Sequence, residues 1–487
     1  MNQFLQLLMF QKYQKYLIVI LALGLLLRVV FVLFVAEYYY GKEEYFKTGD
    51  TYSYSQCAIN LVEQGSIRTI SNDDKSVAGR LPFYPIVLAL FYVISGQNLD
   101  LTYQLVIWFQ VLLDVLTVFL LYRLAFFISN SYRIGVFAAF LYAVYPFTIF
   151  WVPLISTETV GVFTLVTGFL FLSRRKKLSD FLFGGAIVGL SVLLRPQNII
   201  FVPVFSVVYF FFNLKQYKRA FISAVLACAG FAVVYGTWVL RNYVLLDKLV
   251  LFTDTRGGTK TFTKDVVACR KYIYSIKSGW DPQFFQIVRN EEVDWPEIAF
   301  VSREDSLMLL RAEYLAKNCG SGFSHWNQYW NRSNARIPDS LSCNDSIAYY
   351  FTVLRNNQIA ANPVHYHLII PMQNLSKALF KTTLTNEKQG ALGLLTNALF
   401  LYRSMLLVLA IIGLFLMIRR KNLYGVFIAL FFALVYYYIC FTVRNIEMRY
   451  FLNNDVLMLI PAAWVLVSMY KWYAIKRLMR KPEQFRI

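Results

Sequence analysis

The sequence predicts an all-α polytopic membrane protein, on three observations. Of 487 residues, 58% are hydrophobic and 16% charged. Apolar runs of about twenty residues, the length needed to cross a ~30 Å hydrocarbon layer, recur along the chain. Lys and Arg gather in short segments between those runs, as they do in cytoplasmic loops. The net charge of +20 is therefore an expression of topology, and no nucleic-acid partner is expected.

The first run, Leu17 to Ala36, follows Lys12 and Lys15 and has no small-residue cleavage site after it. It reads as an uncleaved anchor with its N-terminus inside. Later spans are predicted at 99–122, 134–152, 157–173, 180–194, 197–213, 220–240, 391–418, 423–443 and 451–472, about ten in all. Arg174 to Lys177, Lys215 to Arg219, Arg419 to Lys421 and Lys476 to Lys481 all become cytoplasmic only if residues 82–95 do not cross. That segment is short for a span and is expected to be re-entrant or interfacial, which makes both termini cytoplasmic.

The outward segments are then 37–98, the turns near Glu158 and Arg195, the region 241–389, and the turn 444–450. Three parts follow: a transmembrane catalytic module (1–243) that includes outer loop 37–98, a small, mainly helical extracytoplasmic domain (244–389), and C-terminal transmembrane helices with a basic tail (390–487). Within the domain, helices are predicted over Pro296–Lys317 and Pro363–Lys381. Cys269, Cys319 and Cys343 lie outside the spans, and one disulfide among them suits that placement, its pairing left open. No His/Cys spacing indicates zinc. Sequons occur at Asn331, Asn344 and Asn374.

Asp50 precedes a segment whose Tyr54, Cys57, Ala58, Leu61 and Val62 form one stripe, closed by Gly65, which predicts an amphipathic helix on the bilayer surface. Asp50 reads both as the N-cap of that helix and as a catalytic carboxylate, roles that can coexist. Glu158 reads either as an acid at the start of the next span or as a second acid facing the same cavity. Asp114 lies mid-span, where an ionised carboxylate costs at least about 2.5–3.5 kcal/mol, so it needs a partner, and Arg28 is the candidate. Arg80, Arg195, Arg241, Arg256 and Arg449 all lie near a membrane boundary on the outer side. Singly each reads as an interface anchor; together with the acids they suit a phosphate site.

The ordered series Asp50/Tyr54/Ala58, Gly65, Arg80-Leu81-Pro82-Phe83-Tyr84-Pro85, Tyr145-Pro146, Thr157-Glu158, Leu194-Arg195-Pro196, Trp238 to Tyr243 with Gly257-Gly258 after it, Asn362-Pro363 and Glu447-Met448-Arg449-Tyr450 resembles the dolichyl-phosphate-mannose protein mannosyltransferase superfamily. The resemblance spans most of the chain. It implies a GT-C-like bundle and a glycosyltransferase that uses a polyprenyl-phosphate sugar donor on the outer side, related also to enzymes that add aminoarabinose to lipid A. It carries the catalytic acid over to Asp50; from the chemistry of the guanidiniums, donor-phosphate binding is expected at Arg80, Arg241, Arg449 and Arg195. Tyr54, Tyr84, Glu447, Tyr450, Asn242 and Arg256 are the expected substrate pocket. Thr51 stands where many relatives have a second acid, which leaves Glu158 as the candidate for that role. Asn453-Asn454 stands where relatives often have proline.

The expected reaction is an inverting transfer to a hydroxyl of a glycan, lipid or protein, in a bacterial inner or plasma membrane. A polyprenyl phosphate leaves as a stable anion, so the chemistry needs a base for the acceptor and positive charge for the phosphate rather than a proton donor. No cofactor is required; a divalent metal between Asp50 and Glu158 is left open. The alternatives are a transporter or flippase of lipid-linked sugars and a polysaccharide polymerase or ligase. Neither repeated halves nor recurring midplane charge pairs are visible to favour transport. Trp280, Trp295, Trp326, Tyr329 and Trp330 are read as packing residues before sugar-stacking ones.

Overall fold

The computed structural model describes residues 3–41, 43–71, 76–175, 177–253, 263–279, 282–324, 326, 342–380 and 390–479. Arg256, Gly257, Gly258, Trp280, Tyr329, Trp330 and Asn331 lie outside them. The described residues form helices and connecting turns, with no strand among them.

The helices are α1 (Gln3–Val30, prolonged through a π-helical turn to Tyr40), α2 (Thr51–Gln64), α3 (Phe83–Ile94), α4 (Leu99–Ser129), α5 (Tyr132–Ala143), α6 (Glu158–Arg174), α7 (Leu178–Val192), α8 (Phe201–Phe212) and α9 (Tyr217–Leu246). They continue with α10 (Lys264–Ile276), α11 (Arg303–Asn318), α12 (Asn344–Ala361), α13 (Ile370–Phe380), α14 (Gly390–Arg419), α15 (Leu423–Tyr437, then a π-helical turn to Val443) and α16 (Met448–Met479). Among the described residues, six helical stretches are long and apolar enough to cross a membrane: 14–40, 99–129, 214–246, 393–419, 423–443 and 448–474. The apolar helices 83–94, 132–143, 178–192 and 196–212 are shorter. At 12 residues, α3 is about 18 Å long, well below the hydrocarbon thickness.

The predicted span 134–152 is broken. Helix α5 stops at Ala143, a turn from Pro146 to Ile149 follows, and residues 150–157 run irregularly to the start of α6. Nearly all of this stretch is buried in protein, the only setting in which irregular backbone survives at membrane depth. Its carbonyls are taken up by side chains from other elements. Arg28 Nη1 donates to the Ala143 carbonyl and Arg28 Nη2 to that of Tyr142. Tyr40 donates to Phe150, Gln110 Nε2 to Val152 and Leu154 at 2.8 and 2.9 Å, and Thr51 Oγ1 to Ile155 at 3.0 Å.

Arg28 also pairs with Asp114 at 2.6 Å, and Tyr142 donates to the other carboxylate oxygen. A second buried pair matches it: Arg403 grips Asp455 through Nε and Nη2 at 2.7 and 3.0 Å, and its Nη1 caps the end of α13 at Ala378 and Leu379. Tyr145 completes that carboxylate's partners at 3.0 Å. The first of these buried pairs is the one expected from the sequence; the second is not among those expectations. Their members lie 86 and 52 residues apart on different helices, and each guanidinium satisfies helix-end carbonyls, so the pairs are structural joints.

Helices α7 and α9 cross so closely that a Cβ on Gly185 would stand 1.9 Å from the Ala227 carbonyl oxygen, and one on Gly230 2.0 Å from that of Leu182. Helices α10, α11 and α12 share a separate apolar core built on Tyr272, Phe284, Leu309 and Phe351. Helix α11 begins at Arg303 rather than Pro296, because Ser302 caps it by accepting the Asp305 amide at 3.1 Å. Cys319 and Cys343 form a disulfide from the end of α11 to the start of α12, and Cys269 is free. The Asn374 side chain is fully buried, donating to the Cys440 carbonyl, so that sequon is not open to modification. Arg444, in a left-handed turn (φ +59°), donates to the carbonyls of Phe441, Tyr274 and Tyr366 and so joins α15, α10 and the segment before α13.

An Arg28→Met variant leaves both Asp114 and the Ala143 carbonyl without their donor, and thermal unfolding in detergent should show a loss of at least about 3 kcal/mol. The double variant Arg28→Met/Asp114→Leu removes the charge problem but leaves the carbonyl unpaired. It should recover only part of the loss, staying about 1–3 kcal/mol below wild type.

Candidate active site

Helix α2 forms where predicted, with Gly65 at φ +66° ending it. Its packing differs from the surface helix expected. Ser53, Ser55 and Asn60 are buried along with Cys57 and Ala58, and Ser55 shares a 2.8 Å hydrogen bond with Tyr103 of α4. Ser53, Ser55 and Asn60 meet protein groups, while Glu63 and Gln64 at the end of the helix stay exposed.

Asp50 occupies the N-cap position of α2, yet its carboxylate accepts no helix amide. It is turned outward between two guanidiniums. Arg80 Nη2 donates to Oδ1 and Arg449 Nη1 to Oδ2, both at 2.7 Å. These residues are 30 and 399 positions away in the chain. Ser53, one turn into α2, accepts from Arg80 Nε at 2.7 Å and donates to the Asp50 carbonyl at 2.8 Å. The Arg80 guanidinium lies 4.8 Å from the centre of the Tyr54 ring, which meets Tyr84 edge-on at 5.3 Å. Tyr84 is fully buried and donates to Gln110 at 3.1 Å, so this support runs back to the irregular 150–157 segment.

Arg449 is held from its other side. Its Nε lies 2.5 Å from Glu447 Oε2, an ion pair without hydrogen-bond alignment, and Glu447 Oε1 accepts from Tyr450 and Asn445 at 3.0 and 2.9 Å. Glu158 is buried and pairs with Arg195 and Ser156. Arg195 Nη2 reaches the Arg449 carbonyl at 3.4 Å. Glu158 therefore stands behind Arg449 instead of facing an open cavity, its charge met by the Arg195 guanidinium and the Ser156 hydroxyl. As placed, Asp50 and Glu158 both face guanidiniums, which repel a cation, and no metal-like cluster of His, Cys, Asp or Glu occurs among the described residues.

Arg241 and Asn242 are brought to a different place. Arg241 donates to the Val77 and Ile67 carbonyls at 2.7 and 3.1 Å and stacks on Trp238, so it pins the loop that delivers Arg80. Asn242 is buried, bonded to Arg241 and to the Val250 carbonyl. Tyr235 and Trp238 bind the next two carbonyls, Leu251 and Phe252, so that one face of α9 fixes the segment leading out of it. Arg256 lies beyond the described residues.

Burial alone would raise the Asp50 carboxyl, but the Arg80 and Arg449 guanidiniums outweigh it and hold the group well below the usual carboxylate range. Tyr54 is pushed up by burial.

All the site's charged groups sit at one end of the bundle, where α6 and α16 begin and α7 and α9 end. The opposite end is where Asn422 meets the Ile128 carbonyl and Tyr424 that of Ser173, beside Arg175. Residues 78–238, about a third of the chain, match the model of the dolichyl-phosphate-mannose-protein mannosyltransferase family. The oligosaccharyltransferase AglB from Archaeoglobus fulgidus, solved with an inhibitory peptide and a dolichol-phosphate, superposes with a TM-score of 0.51 at 13% identity, over 98% of this chain and 52% of its own. The chain has the GT-C fold of membrane glycosyltransferases.

A second structure of the A. fulgidus oligosaccharyltransferase, tethered to an acceptor peptide by a disulfide, gives a TM-score of 0.50 at 16% identity, over 96% of this chain and 50% of its own. This GT-C chain thus spans about half the length of the oligosaccharyltransferases it matches. ArnT from Cupriavidus metallidurans, bound to undecaprenyl phosphate, superposes only loosely, at 0.39 and 13% identity over 93% of this chain and 78% of its own. No curated protein matches the sequence.

Sequence reasoning missed Ser53, Asn445 and Gln110. Ser53 lies at i+3 from Asp50, and Gln110 is a lone amide in an apolar run; both signals were present. Because the folded Asp50 value is below its unfolded one, its pairing stabilises the protein above about pH 4, the ordinary carboxylate range, and is lost only as acid protonates the group. The difference in melting temperature between wild type and Asp50→Asn should therefore be constant from pH 5 to 8 and narrow below about pH 4, as read by detergent-phase thermal scans.

Proposed function

We propose that this protein transfers a sugar from a polyprenyl-phosphate donor to the hydroxyl of a glycan, lipid or protein, at the end of the bundle that carries Asp50. The observation that carries this reading is the carboxylate of Asp50 set between the guanidiniums of Arg80 and Arg449. A carboxylate beside two guanidiniums supplies what the reaction needs: a proton acceptor and a rigid pair of phosphate donors. The dolichol-phosphate in the AglB complex supports a lipid-phosphate ligand for the same fold.

In the step, the acceptor hydroxyl gives its proton to Asp50 and its oxygen forms a bond to the anomeric carbon. The bond from that carbon to the phosphate oxygen breaks, and its electron pair leaves on the phosphate, where Arg80 and Arg449 meet the charge. A single displacement inverts the anomeric centre. Glu158 acts through Arg195, which fixes the Arg449 backbone.

The positive-inside rule puts the basic ends of α6 and α14 in the cytoplasm and hence the site on the outer side, as in a bacterial plasma membrane. The Cys319–Cys343 disulfide supports the same assignment, because such bonds persist in oxidising compartments.

In proteoliposomes supplied with polyprenyl-phosphate monosaccharides and glycan, lipid or peptide acceptors, wild type should form glycosylated product and polyprenyl phosphate. Asp50→Asn should lower turnover about 10²–10⁴-fold, the range for losing a positioned base. An Arg80→Lys protein should keep the charge but lose the fork that serves phosphate and Ser53 together, raising donor KM more than it lowers kcat. Unchanged turnover in Asp50→Asn would remove that residue from the chemistry.

A further inference from the structure

The partners of Asp50, Arg80 and Arg449 are unequal. Among the described residues, the Asp50 carboxylate has no anchor except the two guanidiniums: it makes no bond to its own helix, although it sits at the cap position where such a bond is ordinary. Each guanidinium has an anchor of its own. Arg80 keeps Ser53 through Nε and rests on the Tyr54 ring, while Arg449 keeps Glu447 and has its backbone carbonyl bonded by Arg195. When a second anion competes for the pair, the arginines stay and the carboxylate yields.

Resting on the polyprenyl-phosphate reading above, the geometry points to Asp50 as a placeholder for the donor's phosphate: the arriving phosphate takes Arg80 and Arg449 from the carboxylate and thereby frees it to act as the base. Donor then binds before acceptor is activated. The two guanidiniums that hold Asp50 low in the resting protein make it a weak base there, and handing them to a phosphate restores ordinary carboxylate basicity. The other groups whose charges bear on it, Glu447 next to Arg449, the Glu158–Arg195 pair and Tyr54, remain in place through the exchange. No covalent bond changes in this step; the phosphate replaces one anion by another at the same donors.

The test uses the full-length protein in detergent and a farnesyl methyl phosphodiester as probe. The probe carries one negative charge, has no sugar to transfer and no second oxygen that titrates. Two quantities are read by calorimetry: the probe's affinity, and the protons exchanged on binding, from runs in buffers of different ionisation enthalpy. Removing the competing carboxylate removes a fractional-occupancy penalty, so Asp50→Asn should bind the probe about tenfold more tightly than wild type. Wild type should take up about 0.2 proton per site at pH 4.5 as Asp50 regains an ordinary value near 3.9, and Asp50→Asn should take up none.

Equal or weaker probe binding by Asp50→Asn overturns the placeholder, since a purely structural clamp loses aligned arginines when the acid is removed. Binding to wild type without proton uptake overturns it equally, and this arm needs no variant that might misfold. Wild type that does not bind the phosphodiester at all rejects the lipid-phosphate reading itself, and the placeholder with it. Binding without displacement rejects the placeholder alone.

Discussion

A carbonyl that leaves a helix inside a bilayer must find a donor, because lipid offers none. This chain breaks its bundle between Ala143 and Glu158 and meets the requirement with side chains: Arg28, Tyr40, Gln110 and Thr51 take up the carbonyls of Tyr142, Ala143, Phe150, Val152, Leu154 and Ile155. Without them the irregular segment would re-form helix or be expelled. With them it carries Ser156 and Glu158 into the site and leaves Gln110 free to hold Tyr84, the residue behind Tyr54 and Arg80. The buried ion pairs belong to the same solution: each aspartate neutralises a guanidinium whose main task is to cap a helix end.

The site is an alternation of charge: Glu447, Arg449, Asp50 and Arg80 in sequence, with Glu158 and Arg195 behind Arg449. Arginine is needed at 80 and 449 because each must serve two partners in different directions from one planar group, which an ammonium on a flexible stem does poorly. The four residues come from the segment around α2 and from the turn that enters α16, so the bundle must close completely before the constellation exists.

Much of this was legible beforehand. Apolar length and the distribution of Lys and Arg indicated the membrane bundle, and the Asp50, Arg80 and Glu447-to-Tyr450 motifs do converge. The pairing of Arg28 with Asp114 followed from the cost of a lone mid-span charge. Arg403, in the middle of the run 391–418, carried the same signal and was passed over; Asp455, near the start of its run, reads as peripheral. The break at Tyr145-Pro146 was hidden because residues 144–155 are nearly as apolar as a span; Pro146 and Pro153 were the signals against one continuous helix. Arg241 looked like a phosphate ligand by its boundary position, but position along a helix does not reveal that two loop carbonyls lie within reach of its fork.

Arg444 stands five residues before Arg449 and holds a carbonyl from α10 and one from the segment before α13. The small helical domain is thus tethered to the very turn that presents Glu447 and Arg449. A load placed on that domain would be passed to the Asp50–Arg449 pair through a lever only a few residues long.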